Sequence, residues 1–140
     1  MIEIKVRRPA PGHHGQMPRN EGRPRIAIVV DDAPLLNALA FLLEADGWEA
    51  AAFRTAGDLL ENLPRSHCLL VDHNLPDMDG LSLILKARAA GMTAPALMIA
   101  GKPTATVRNI AAEAAIEIVD KPLDGDDLKR RIRAVLDGAG

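Results

Sequence analysis

At 140 residues, with 48% hydrophobic and 26% charged side chains, the chain has the size and balance of one soluble globular domain, and no second domain of ordinary size fits. The net charge of −2 is unevenly spread: residues 1–24 hold five Lys/Arg against two Glu, whereas residues 25–140 hold twelve against seventeen Asp/Glu. The folded part is therefore acidic, which argues against direct DNA binding or broad nucleic-acid binding.

Only 2% of residues are aromatic, so the core must be aliphatic. The single cysteine, Cys68, excludes an internal disulfide and reads as a small buried hydrophobe in a reducing compartment. No signal-peptide apolar region and no long apolar run occurs, so no membrane association is expected and the location expected is cytoplasmic.

Residues 1–24 are expected to be a flexible tail. Within them, residues 7–24 are rich in Pro and Gly and nearly devoid of large apolar side chains, so burial cannot offset the entropy of ordering them. Met1-Ile2-Glu3-Ile4-Lys5-Val6 alternates apolar and charged residues and admits an edge strand. The pair His13-His14 lacks the acid or thiol that would complete a metal site.

From Arg25 the pattern becomes regular. Strand 25–30 leads to a helix over 34–46, with Pro34 at a first-turn position and Leu35, Leu36, Leu39, Leu42 and Leu43 at helical spacing. Strand 48–53 is followed by Thr55 as N-cap of a helix carrying Leu59, Leu60 and Leu63, stopped by Pro64. Strand 67–71, a loop over 72–80 and a helix over 81–90 come next. Strand 96–100, an Ala-rich helix over 104–114, strand 116–119 and a final helix over 125–137 complete five βα units in residues 25–138. Such a series predicts a doubly wound, five-stranded parallel sheet with helices on both faces.

In that fold, chemistry gathers at the carboxyl ends of the strands. Cys68-Leu69-Leu70-Val71 ends on Asp72, Ile26-Ala27-Ile28-Val29-Val30 runs into Asp31-Asp32, and Ile116-Glu117-Ile118-Val119 precedes Lys121-Pro122. Three acids converging on one point repel one another unless a cation neutralises them. Oxygen donors without thiolate or paired His favour Mg²⁺ over zinc. A metal shared between a carboxylate and a phosphoryl group, with the Lys121 ammonium beside it, suits attack of an Asp oxygen on phosphorus. The Lys121-Pro122 step admits a cis bond.

These residues, with the loop Leu75-Pro76-Asp77-Met78-Asp79-Gly80, make residues 25–138 resemble a two-component response-regulator receiver domain of the flavodoxin-like fold. The stretch Met98-Ile99-Ala100-Gly101 is similar to receivers of the FixJ type. By that resemblance Asp72 is the phosphoacceptor, Asp32 a direct Mg²⁺ ligand, Asp31 a ligand acting through water, Asn74 a donor through its backbone carbonyl, and Lys121 the phosphoryl counter-charge. The partners implied are a sensor histidine kinase or phosphotransfer protein, docking on the first helix and catalytic loops, a separate effector, and a second receiver in a homodimer.

Two positions depart from the family. Ala100 stands where Thr or Ser is usual, and Ile118 where Tyr or Phe is usual. The expectation is therefore a stand-alone, CheY-like receiver, not an enzyme beyond its own phosphoryl transfer and dephosphorylation, with an atypical output switch. Its alternative is a phosphorylation-independent interaction module. A stand-alone phosphatase is disfavoured because Asn74 occupies the position where such enzymes need a second Asp. Lys102 is a candidate replacement cation, His73 a candidate relay residue that alternation turns away from Asp72, and Asp77 and Asp79 are expected as caps or solvated side chains. The basic run Lys129-Arg130-Arg131-Arg133 offers either a solvated face or an acidic-partner surface.

Overall fold

The computed structural model describes residues 3–5 and 22–139. Strands are β1 (Glu3–Lys5), β2 (Arg25–Val29), β3 (Glu49–Phe53), β4 (Cys68–Asp72), β5 (Ala96–Ala100) and β6 (Ile116–Asp120). Helices are α1 (Ala33–Ala45), α2 (Ala56–Asn62), α3 (Gly80–Ala89), α4 (Ala105–Glu113) and α5 (Gly125–Ala139). The sheet order is β1-β3-β2-β4-β5-β6, and β2 to β6 run parallel. This is the expected flavodoxin-like arrangement.

One strand extends it. Glu3–Lys5, inside the segment expected as tail, pairs antiparallel with β3, Ile4 lying opposite Ala52. The edge of β3 otherwise presents a row of unpaired backbone groups, and a short segment of any composition with free N–H and C=O groups can satisfy them. Residues 1–2 and 6–21 of the expected tail, His13 and His14 among them, lie outside the described residues.

Alternation along the strands divides the core into two layers. Ile26 and Ile28 of β2 with Val30 just beyond it, Cys68 and Leu70 of β4, and Leu97 and Ile99 of β5 pack under Leu36, Leu39 and Leu43 of α1 and Leu128 and Ile132 of α5. Ala27 and Val29, Leu69 and Val71, and Ala96 and Met98 face the other way, against Leu59 of α2, Leu83 and Ile84 of α3 and Ala111 of α4. The interior is aliphatic, as composition requires; Phe53 and Trp48 are buried and Phe41 is exposed on α1. Burial, with Glu117 adding to it, pushes the Cys68 thiol up to about 12, so this cysteine is a packing residue.

The first four helix starts are each fixed by a side chain. Asp32, Thr55, Asp79 and Thr104 are the N-caps of α1, α2, α3 and α4, each accepting from the backbone N–H three residues on. The second helix ends at Asn62, because Leu63 adopts φ 29° before Pro64, one residue earlier than the leucine spacing suggests.

Candidate functional site

Parallel pairing places the carboxyl ends of β2, β4, β5 and β6 side by side. Val29 pairs with Val71, Asp72 with Ile99, and Ala100 with Asp120, so the loops carrying Asp31-Asp32, His73-Asn74, Gly101 and Lys121 leave from one edge. Backbone bonds carry the ladder past the strand ends: His73 N–H donates to the Ile99 carbonyl at 2.8 Å and Lys121 N–H to the Ala100 carbonyl at 3.0 Å. The side chains are then aimed by alternation. Asp72 shares its parity with Leu70 and ends the strand almost wholly buried, at 5% exposure.

The carboxylate of Asp72 is held on one oxygen. Its Oδ1 accepts from the Asn74 N–H at 3.0 Å and faces the Lys121 ammonium at 3.4 Å, which leaves Oδ2 as the oxygen without either contact. The Lys121-Pro122 peptide is cis. On the neighbouring strand tip Asp31 and Asp32 are exposed. The Asp32 Oδ1 accepts from Leu35 N–H at 3.5 Å at the start of α1, where the helix dipole favours a negative charge. Asp31 faces Arg54: the guanidinium Nε donates to the Asp31 main-chain carbonyl at 2.9 Å, and its terminal nitrogen stands 3.8 Å from Asp31 Oδ1.

The acids are thus brought to one rim, yet each is turned to a separate partner. Among the described residues no three His, Cys, Asp or Glu side chains stand close enough together to hold a metal ion between them. The donor chemistry nevertheless suits a hard cation. Asp31, Asp32, Asp72 and the Asn74 carbonyl are all oxygen donors on adjacent strand ends, and Mg²⁺ uses one or two carboxylates with retained waters, not an all-protein cage.

Two glycines border the rim. A Cβ added at Gly80 would stand 2.6 Å from the Asp72 carbonyl oxygen and 2.8 Å from the His73 Cα, so α3 can approach the end of β4 only because this residue has no side chain. Gly101 is different: a Cβ there would rest 3.7 Å from Lys121 Cδ, which is ordinary contact.

A model of the response-regulator receiver domain matches residues 26–133. This chain belongs to that family. Among curated proteins the receiver is 31% identical over 129 residues to the response regulator protein TmoT of Ectopseudomonas mendocina, covering 90% of this chain and 59% of TmoT. It is 28% identical over 117 residues to the transcriptional regulatory protein FixJ of Bradyrhizobium diazoefficiens, covering 79% of this chain and 56% of FixJ. The chain spans little more than half the length of these relatives. Among solved structures, a CheY-like receiver domain protein from Methanospirillum hungatei superposes with a TM-score of 0.77 at 29% identity, covering 83% of this chain and 95% of that one. Full-length FixJ from B. japonicum gives a TM-score of 0.70 at 27% identity, covering 83% and 59%. Receivers of this family are signalling modules of two-component systems and generally bind Mg²⁺ at their phosphorylation site.

Within this receiver, Ala100 is buried at the end of β5 between the tips carrying Asp72 and Lys121. Ile118 is half-buried in the middle of β6, opposite Met98 and packed against the α2–α4 layer. Lys102 is exposed and adopts φ 52°. His73 turns away from Asp72, as alternation requires, and its Nδ1 accepts from the Leu81 N–H at 3.4 Å; it caps α3 together with Asp79. Burial raises the Asp79 carboxyl, but bonds from the Ser82 amide and hydroxyl outweigh it and hold the group below its ordinary value.

The basic run of α5 does not form a free patch. Arg131 pairs with Asp127 at 2.8 Å and Glu117 at 2.7 Å, Arg130 with Asp127 at 3.1 Å, Lys129 with Asp46 at 3.5 Å, and Arg133 with Asp46. Arg133 also lies over the Trp48 ring. The pairs to Asp46 and Glu117 fasten α5 to its surroundings, while the Arg130 and Arg133 side chains stay 66% and 52% exposed.

Two contacts escaped the sequence reading. Asp77, read as a cap for the next helix or a solvated side chain, instead accepts from Ala56 and Gly57 N–H at 3.0 and 2.9 Å, at the start of α2. Arg54 escapes it as well, because its contact with Asp31 depends on β3 lying beside β2 in the sheet.

Proposed function

We propose that this receiver takes a phosphoryl group onto Asp72 from a phosphohistidine of a sensor kinase or phosphotransfer protein. The observation that carries the reading is the pairing of a nearly buried Asp72 with the Lys121 ammonium at 3.4 Å, beside the exposed acid pair on the adjacent strand tip. Lys121 and the Asn74 amide hold Oδ1, and Oδ2 attacks phosphorus. A bond forms between Oδ2 and phosphorus while the bond from phosphorus to the donor imidazole nitrogen breaks, and that nitrogen keeps the electron pair and takes a proton. Lys121 balances charge spreading onto the transferred oxygens. Asp31, Asp32, Asp72 and the Asn74 carbonyl would hold Mg²⁺, which when bound supplies further neutralisation of phosphoryl charge.

The read-out is atypical. Ala100 cannot donate the hydroxyl bond that the family's usual Thr or Ser supplies, a loss of about 1.5–3 kcal/mol for a bond to a charged oxygen. The His73 N–H is committed to the Ile99 carbonyl, and the response leaves through reordering of Gly101-Lys102-Pro103, where Lys102 already holds a left-handed backbone. The same two substitutions, Ala100 and Ile118, favour a second reading in which the module binds partners without phosphorylation. Intact-mass analysis after incubation with Mg²⁺ and a small acyl-phosphate donor separates the two. One phosphoryl adduct on wild type and none on Asp72→Ala is expected; an unmodified wild type with both the small donor and a panel of kinases would leave only the interaction module.

A further inference from the structure

Each acid at the rim has a partner, though two cations serve three carboxylates: Asp72 faces Lys121, Asp32 caps α1, and Asp31 faces Arg54. The three partnerships differ in how they meet an incoming cation. Capping uses only Oδ1 of Asp32 and leaves its other oxygen available, and the Lys121 contact engages only Oδ1 of Asp72. The Arg54 contact lies on the acid pair itself. Side-chain exposures of 36% for Arg54 and 51% for Asp31 make that ion pair solvated and easily exchanged. The Nε bond to the Asp31 main-chain carbonyl, at 2.9 Å, does not depend on the carboxylate. It keeps the guanidinium at the rim even when the Asp31 side chain turns elsewhere.

We infer that Arg54 is a resident counter-ion that sets the metal affinity of the acid pair through Asp31. This rests on the reading of the rim as a metal centre given above and adds the residue that regulates it. A divalent ion arriving at Asp31 first replaces the guanidinium and then remains near a tethered positive charge, so the receiver binds Mg²⁺ more weakly than its acids alone would dictate. Arg54 is a positioning residue, since it acts on the metal through Asp31.

The test is a Mg²⁺ titration of the full chain at constant ionic strength, read from the backbone amide resonances of Asp72 and Asn74. Replacing Arg54 with the neutral Gln is expected to tighten binding roughly three- to tenfold, the effect of one screened charge a few ångströms from a dication. Arg54→Lys, which keeps the charge but not the forked contact, is expected to fall between the two, and the gain from Arg54→Gln is expected to shrink in an Asp31→Asn background. An unchanged dissociation constant in Arg54→Gln overturns the inference, as does a gain that persists undiminished in Asp31→Asn. Failure of the wild type to bind Mg²⁺ at any concentration overturns the metal-centre reading itself, and this inference with it.

Discussion

The smallest element that holds the rim together is the missing side chain of Gly80. In an ordinary helix, Gly→Ala gains about 1 kcal/mol from propensity alone, and the first turn of α3 is no exception in its backbone. Against that gain stands a Cβ 2.6 Å from the Asp72 carbonyl oxygen and 2.8 Å from the His73 Cα. Both obstacles are backbone atoms of the strand end, so no rotamer relieves them. The α3 N-terminus must move back, loosening the bonds from Gly80 N–H to the His73 carbonyl and from Leu81 N–H to His73 Nδ1. The sign therefore reverses: Gly80→Ala is expected to destabilise by roughly 1–3 kcal/mol in urea unfolding, and to shift the amide resonance of Asn74 because that residue leaves from the same turn. A variant as stable as wild type would show that the helix start yields without cost. Cys68 illustrates the opposite case, where a reactive residue type is made inert by its place in a β-strand buried on both sides.

At the level of elements, α2 shows how a short helix is held by something outside it. Seven residues, Ala56–Asn62, are too few to be stable in isolation, and the first-turn N–H groups need partners from elsewhere. Thr55 accepts from Asp58 N–H, while Asp77, some twenty residues away in the loop between β4 and α3, accepts from Ala56 and Gly57. Burial acts to raise the Asp77 carboxyl, but the two amides outweigh it and hold the group below its ordinary value. Because the folded-state value is depressed, the contribution is fully present above the ordinary carboxylate value of 3.8 and disappears as pH falls through the lower folded-state value. Asp77→Ala is expected to cost about 1 kcal/mol at neutral pH, as loss of a solvent-exposed cap does. The stability gap between variant and wild type should close at pH values below the depressed carboxyl value. A gap of constant size down to that acidity would mean that the carboxylate charge contributes nothing. The same contact ties the Asn74 loop to α2, so the loop that follows Asp72 is anchored from two sides.

For the molecule as a whole, what the sequence made legible was whatever repeats with a short period. Five apolar strand runs, the helical leucine spacing between Leu36 and Leu43, and acids or Lys directly after strands are local patterns, and they located the parallel sheet and the rim carrying Asp31, Asp32, Asp72 and Lys121. Illegible were contacts whose existence depends on which strands become neighbours: Arg54 with Asp31 across the β2–β3 pair, Asp77 with α2, and Arg133 with Asp46, which are 87 positions apart. The pairing of Glu3–Lys5 with β3 is half of that class: alternation over residues 1–6 admits an edge strand, but not which strand it joins. It also has a consequence for the behaviour of the entire chain. Phe53 turns its carbonyl toward Val30 and Glu49 its N–H toward Pro24, so alternation turns the backbone groups of Ala50 and Ala52 outward, toward β1. Ala52 lies opposite Ile4; without that strand the outward groups form an open edge along an alanine-rich strand, the kind of edge that recruits another chain. Removing residues 1–21 is therefore expected to increase self-association in sedimentation velocity at high concentration. Ile4→Pro, which deletes the N–H facing Ala52 while leaving every charge in place, is expected to act in the same direction. If truncation raises association and Ile4→Pro does not, the effect belongs to the lost charges of the N-terminal segment; only agreement between the two assigns it to the uncovered edge of β3.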